Sequence, residues 1–600
     1  MAKNYKTVWN LSPLFESDND PEIAKKRKIV ERESYKFINK WKKRDDYLRD
    51  PKVLKKALNE YERWLKNYGT SGDEGYYFEL RTAQDQNSPA LKAKFNKAVN
   101  FSNKIQNDIQ FFTLEIAKVN PKLHSKFLQY KELKQYRHFL EKLFREAKYL
   151  LSDPEEKIIN LKNQTSHSNW VKMLSGFLSK EERKILLENR KRQIQPFSEI
   201  ISLMSSKRKK VRDNSAKVFN EILEKHLDVA ESELNSVLAN KKVDDELRKL
   251  PRADSARHIA DDVETKVVDT LIAAVTNRFN IAKKYYKLKA KLVGVPQLKY
   301  HERNVEYGKI DKKYTYDASL KIIFKVIKGL DEEFTEIFTN FVNNRQIDVY
   351  PKKGKQSGAS AHHNLISQPT YLLLNHADKL DSILTFAHEL GHGINNELIK
   401  KEQNALNFGT PLSTGEVAST FMEDFVFQEL LKGAAGELKL SLMMAKLNQD
   451  VSSIFRQIAF YNFETGLHKK FREKGYLSKE EIGKLFQKHT KSYMGPYVEQ
   501  SAGSENWWIY VSHFRYFFYV YSYASGLLIS KSLQVSVKND PKYIEKVKKF
   551  LSTGLSDSPK NIFAKLGVDI TNKKFWDKGI DEVDTLLKET EKLAKKLGKI

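Results

Sequence analysis

The sequence predicts a mainly α-helical protein, built as two helical lobes with one small β-sheet. Three observations carry this. Proline (15) and glycine (25) are scarce in 600 residues, against average usage of about 5% and 7%, so few positions break a helix. Long stretches repeat apolar residues at spacings of three and four. One segment, residues 345–375, abandons that period for two β-prone runs, "IDVY" and "TYLLLN", around a Gly/Ser-rich middle.

In chain order the helical pattern covers 22–48, 51–67, 88–118, 121–150, 180–194, 207–240, 254–292, 316–343, 378–400, 414–433, 437–473, 479–493, 507–535 and 580–598. No fixed-period repeat or low-complexity tract interrupts it. Ordinary domain sizes divide the chain into an N-terminal helical lobe, 1–200, and a larger domain, 201–600, that contains the small sheet.

Bulk properties narrow the function classes. With no cysteine, disulfides and thiolate metal sites are excluded together, and a reducing compartment is expected. The N-terminus lacks an apolar signal region. The longest apolar-aromatic run, Tyr516–Ser530, is diluted by four tyrosines and three serines and falls short of the roughly 20 residues of a membrane span. A cytoplasmic protein that makes no membrane contact is the expectation. Net charge is +28, but lysine is spread along the chain and interleaved with glutamate, as in "KKALNEYERWLK", which suits solvated helix faces. Only "SSKRKKVR" at 205–212 is densely basic, so no specific nucleic-acid site is expected.

The stretch "ILTFAHELGHGINNE" places His388, Glu389 and His392 in an apolar helical frame. Residues four apart share a helix face, so both imidazoles can point at one ion, while Glu389, one residue off, can reach a water beside it. By composition this spacing should arise by chance only about 0.02 times in such a chain. A third ligand is required. Asn395 and Leu398 stand where a three-histidine site needs a glycine and a histidine, so a glutamate is left. Glu397 lies about 900° of helix rotation from His388 and is read as a surface residue. Glu416 follows His392 by enough chain for a second helix to return antiparallel. Two readings of Glu416 stand: a ligand, or the N3 partner of Ser413 in a capping box. Glu423, nearly on the same face among apolar residues, favours the first, with Glu423 itself accepting from a ligating imidazole. Asp424 is expected to face solvent.

"FAHELGHGIN" and "STGEVASTFMED" resemble the zinc helix and third-ligand helix of the oligoendopeptidase F branch of the thimet oligopeptidase-like zinc peptidases. "WNLSPLF" at 9–15, "LLSDPEEKIINLKN", "SSKRKKVRDNSAKVFNEIL", "IDVYPKKGKQSGA" and "HFRYFFYVYSYASGLL" are also similar, so the resemblance covers most of the chain. It implies a gluzincin fold with a deep substrate groove between two helical lobes and 201–600 as the catalytic domain. It makes His388, His392 and Glu416 the ligands of one Zn2+ and Glu389 the catalytic residue. It also gives His513 and the tyrosines Tyr516, Tyr519 and Tyr523, which read as one helical stripe, the task of binding the substrate carbonyl and its oxyanion. Gly358, Ala359, Ser360 and Ala361 would present a strand edge to an extended peptide. One departure is "SAHHNLISQP", whose His362 and His363 are read as subsite or surface residues.

The implied activity is endoproteolysis of short, unstructured peptides by a monomer or weak homo-oligomer. Two alternatives stay open at this stage: a zinc carboxypeptidase of similar helical fold, and a non-catalytic basic binding protein.

Overall fold

A computed structural model describes residues 6–308 and 312–600. Helix dominates, and among the described residues strand is confined to a hairpin and one three-stranded sheet. The chain forms two compact units. One comprises Met1–Lys148, Asp311–Lys432 and Leu533–Val568; the other comprises Tyr149–Ile310, Gly433–Ser532 and Asp569–Ile600. This partition differs from the division at about residue 200 read from the sequence. Local periodicity identifies helices but not which distant helices share a core, and here each core draws on three separate segments.

In the first unit, the N-terminal helices bury Phe37, Trp41, Leu58, Trp64, Phe112, Phe127 and Tyr136 in one cluster. A second cluster joins Trp9, Leu11, Leu14 and Phe15 to Tyr371 and Leu373 of the sheet. The indole of Trp9 donates to the carbonyl of Leu372 at 2.9 Å, and the Tyr371 hydroxyl donates to the carbonyl of Asn10 at 2.8 Å. "WNLSPLF" is thus a buttress that fixes the sheet from behind.

The hairpin pairs β1 (Glu182–Leu186) with β2 (Arg192–Pro196) in antiparallel register. It replaces the helix expected at 180–194. Arg190 takes a left-handed φ of 66°, and the Asn189 side chain accepts from the Lys191 amide at 3.0 Å. That local turn competes with helix. The sheet of the first unit has the order β3-β5-β4, from β3 (Ile347–Asp348), β4 (Ser360–His362) and β5 (Tyr371–Leu373). The two β-prone runs become β3 and β5, paired in parallel. The polar middle supplies β4, antiparallel to β5 and at the edge.

Four helices position the site residues: α1 (Leu380–Glu402), α2 (Val417–Lys432), α3 (Gln457–Lys474) and α4 (Tyr521–Asn539). The helix expected at 507–535 is a correction. Ser504–Ile509 and Ser512–Arg515 are 3-10 turns, Phe517 and Phe518 have φ of 55° and 56°, and α-helix starts only at Tyr521. Two consecutive left-handed residues cannot continue a right-handed helix.

Candidate active site

Helices α1 and α2 meet at a glycine. A Cβ built on Gly391 would lie 2.5 Å from the Ala418 carbonyl oxygen and 2.6 Å from the Ser419 Cα, so only glycine permits this backbone approach. The approach carries Glu416, just before α2, to the two imidazoles of α1. His388 Nε2 lies 3.2 Å and His392 Nε2 3.5 Å from Glu416 Oε2. The His388 and His392 rings are 5.1 Å apart, at 79° to each other. The Ser419 hydroxyl donates to Glu416 Oε2 at 2.9 Å. The Glu416 carboxylate therefore faces the two histidines, as a ligand would.

On its other side His388 Nδ1 donates to Glu423 Oε2 at 3.1 Å. This bond holds a proton on Nδ1, which makes Nε2, on the Glu416 side, the nitrogen free to bind a metal ion. One ligand atom from each of His388, His392 and Glu416 lies within 4.8 Å of the others. Two imidazole nitrogens, one carboxylate oxygen and a carboxylate behind one imidazole form a donor set that fits zinc.

Electrostatics agree with a cation-seeking centre. Burial alone would lower the His388 pKa, but the Glu416 and Glu423 carboxylates outweigh it and raise it to about 10. Glu416 is pushed up by burial and, more strongly, down by both histidines, to well below the ordinary carboxylate range. Without a metal, a proton sits where a divalent ion would compete for it. Glu389 is 7% exposed, and its pKa is raised, chiefly by burial and against the pull of the two histidines.

Two neighbouring carboxylates differ from their sequence reading. Asp424 is buried and accepts from the Gln534 amide at 3.0 Å; it does not face solvent, because α2 is covered on that side as well. Glu397 is half-buried, accepting from the Thr370 hydroxyl at 2.7 Å and from Lys400 at 2.6 Å. It is a clasp between α1 and the sheet. Neither belongs to the ligand cluster.

The loop before β4 is rigidly held. Lys355 is fully buried and donates to Asp348 Oδ1 at 2.6 Å and to the Tyr350 carbonyl at 2.9 Å. Asn375 donates to the carbonyls of Gln356 and Gly358 at 2.8 and 2.7 Å. Gly358 has a φ of 78°, which favours glycine there. Gly358, Ala359, Ser360 and Ala361 thus lead into or lie on the edge strand. His362 is tied to Ser360 Oγ at 2.8 Å and packs edge-on against Trp9. His363 lies 3.1 Å from the Asn396 amide and packs against Phe408. Both histidines stand outside the ligand cluster.

In the second unit the structure brings together three of the four predicted substrate-facing side chains. His513 Nδ1 is hydrogen-bonded to the Tyr519 hydroxyl. The Tyr523 ring lies 6.0 Å from that of Tyr519 and 5.9 Å from that of His513. Tyr516 is separated from them. It is 55% exposed and packs against His167. The single stripe is therefore a correction: the Phe517–Phe518 turn, not a helix, aims Tyr519.

That turn has an anchor the sequence reading missed. Glu464 on α3 is fully buried and accepts from the Phe518 amide at 2.9 Å. One turn along, His468 packs its ring 4.8 Å from Phe518 and 5.4 Å from Phe517. Burial raises Glu464 to about 8. A buried acid four residues before a buried histidine, inside "FETGLH", was the available signal.

A family model described as peptidase family M3 matches residues 202–582. The chain belongs to peptidase family M3. A model described as oligopeptidase F matches residues 115–174, which sets this M3 peptidase in the oligopeptidase F branch, a branch of zinc-dependent oligoendopeptidases. It is 25% identical to an oligoendopeptidase F homolog of Lactococcus lactis subsp. lactis over 99% of each chain. To oligopeptidase PepF of Bacillus subtilis it is 24% identical, over 97% of this chain and 87% of that protein. Its fold matches a crystal structure from Chlamydophila abortus (TM-score 0.84, 20% identity, 98% of each chain). It also matches oligoendopeptidase-F from Enterococcus faecium (TM-score 0.71, 19% identity, 96% of this chain and 99% of that one). No helix among the described residues of this M3 peptidase is long and apolar enough to cross a membrane.

Proposed function

We propose that the chain hydrolyses internal bonds of short, unstructured peptides at a single zinc site held by His388, His392 and Glu416, with Glu389 as general base and acid. The observation that carries this reading is the convergence of those three ligand atoms within 4.8 Å, with Glu389 buried on the same helix. When bound, zinc supplies Lewis acidity, bringing water towards ionisation at neutral pH and polarising the scissile carbonyl.

The residues do the rest. Glu389 takes the proton of the attacking water and delivers it to the leaving amine. Glu423 keeps His388 in the tautomer that presents Nε2. Gly358–Ala361, leading onto the edge strand β4, would pair with the substrate backbone as an added strand, which gives affinity with little sequence selectivity. His513, Tyr519 and Tyr523 would donate to the substrate carbonyl as it becomes an oxyanion, with about 3–4 kcal/mol from each well-aimed donor. Tyr516, exposed and apart, is left out of that group. The lack of cysteine supports action in a reducing, cytoplasmic compartment.

The test is mass spectrometry of peptides blocked at both ends, digested with and without a chelator. Cleavage at internal bonds that stops with chelator is expected. Failure to cut any blocked peptide, or cutting that the chelator leaves intact, would overturn the proposal.

A further inference from the structure

His513 also lines a second feature, a cavity of about 370 Å³ within the second unit, large enough for an amino-acid side chain or chain end. Its wall is aromatic, with Tyr300 and Trp507 among the lining residues, and includes Arg303 and Arg456 but no aspartate or glutamate. Arg303 is 8% exposed. It donates to the Tyr300 carbonyl at 2.7 Å and lies 4.1 Å from the Tyr300 ring and 4.6 Å from the Trp507 ring. Its buried Nε has no hydrogen-bond partner, nor has that of Arg456. Among the described residues neither guanidinium has a carboxylate partner. Gln457, 7% exposed and also in the wall, leaves its Oε1 unpartnered.

Buried charge without a counter-ion is costly, and native structures rarely leave it so. Behind the wall stands a buried lysine. Lys289 donates to the Arg303 carbonyl at 2.6 Å; burial first, and the charge of Arg303 second, bring its pKa down to about 7. Arg456 ends a π-helical turn, Val451–Arg456, just before α3. Such turns interrupt the regular hydrogen-bond ladder and recur at functional sites.

We propose that this cavity is a carboxylate-binding subsite for the peptide. Arg456 and Arg303 hold an acidic side chain or the C-terminal carboxylate, and the aromatic walls take the adjoining apolar atoms. Planar guanidinium groups bind carboxylates with paired, charge-assisted hydrogen bonds. The inference rests on the peptidase reading above for the identity of the ligand, but the cavity's charge preference can be measured without turnover.

The test uses full-length protein carrying Glu389→Gln, so that peptides bind uncut. Dissociation constants are measured by fluorescence for one labelled peptide with a free C-terminus, its C-terminal amide, and the Glu-to-Gln counterpart of each. The carboxylate form is expected to bind at least about tenfold tighter than its neutral counterpart. Arg456→Gln should abolish that advantage, Arg456→Lys should keep part of it, and Arg456→Glu should shift preference to a lysine-bearing peptide. Loss of the advantage on amidation assigns the chain terminus; loss on the Glu-to-Gln change assigns a side chain; either supports the proposal. No preference in the parent, or a preference that survives in both folded variants, Arg456→Gln and Arg456→Glu, would overturn it. If the charge preference holds while wild-type protein cuts nothing, the peptidase reading fails and the subsite stands. If wild-type protein cuts without charge preference, only the subsite fails.

Discussion

The two regions proposed to do the chemistry are encoded in different ways. The proposed metal ligands of α1 sit at a spacing that one regular helix turns into geometry, so His388, Glu389 and His392 could be read locally. The His513–Tyr523 segment has the same kind of apparent periodicity but follows no helix. Phe517 and Phe518, both left-handed, redirect the chain and pair Tyr519 with His513. The turn is stabilised by Glu464, 54 residues away in sequence. Sites held by the geometry of one element are legible from spacing. Sites held by strain and a distant anchor are not.

The comparison breaks first at the proposed metal ligands. Glu416→Ala should remove bound zinc and with it about 10³-fold or more of peptidase activity, because two imidazoles alone leave the site without its anionic ligand. Metal analysis of the purified variant beside a peptide assay checks both halves. If Glu416 were only a helix cap, its loss would cost about 1 kcal/mol of stability and leave zinc in place.

The tyrosine segment gives the next effect. Tyr519→Phe should lower kcat about 10²–10³-fold, as loss of an oxyanion donor does, with zinc retained. Tyr516→Phe should change it little, since that side chain is exposed and apart. Steady-state kinetics of the two variants separate the turn geometry from the helical stripe, in which both would matter alike.

A smaller loss is expected behind His388. Glu423→Ala removes the acceptor for Nδ1 and should weaken zinc binding about 10–100-fold, read by titration with a competing chelator.

The smallest effect concerns stability and pH. Glu464 has a folded pKa of about 8 against an ordinary 4.5, so the folded state holds a proton that the unfolded state releases between those values. Its contribution to stability therefore falls as pH rises from about 4.5 through 8. Glu464→Gln, neutral and still able to accept from the Phe518 amide, should lose less Tm than wild type between pH 5 and pH 8.5 (chosen to bracket the shift at roughly its ends). Parallel thermal melts check this.

What was legible follows the same division. The helical class, the sheet beside α1, and the sharing of one helix face by His388 and His392 each rest on a local period or a short spacing. The helix read over 180–194, the solvent-facing reading of Asp424 and the continuous helix at 507–535 failed. The first gave way to a local left-handed turn at Arg190; the other two depended on elements remote in sequence, Gln534 and Glu464 respectively. The arginine-lined cavity was invisible for the same reason, because Arg303 and Arg456 are 153 residues apart and meet only in the fold.

The central claim is that Glu389 moves the proton at a zinc site built by His388, His392 and Glu416. The most direct measurement is the turnover of a doubly blocked peptide by Glu389→Gln, with zinc content determined on the same sample. The account predicts full zinc occupancy with turnover reduced about 10²–10⁴-fold. Unchanged turnover by the zinc-loaded variant would contradict it.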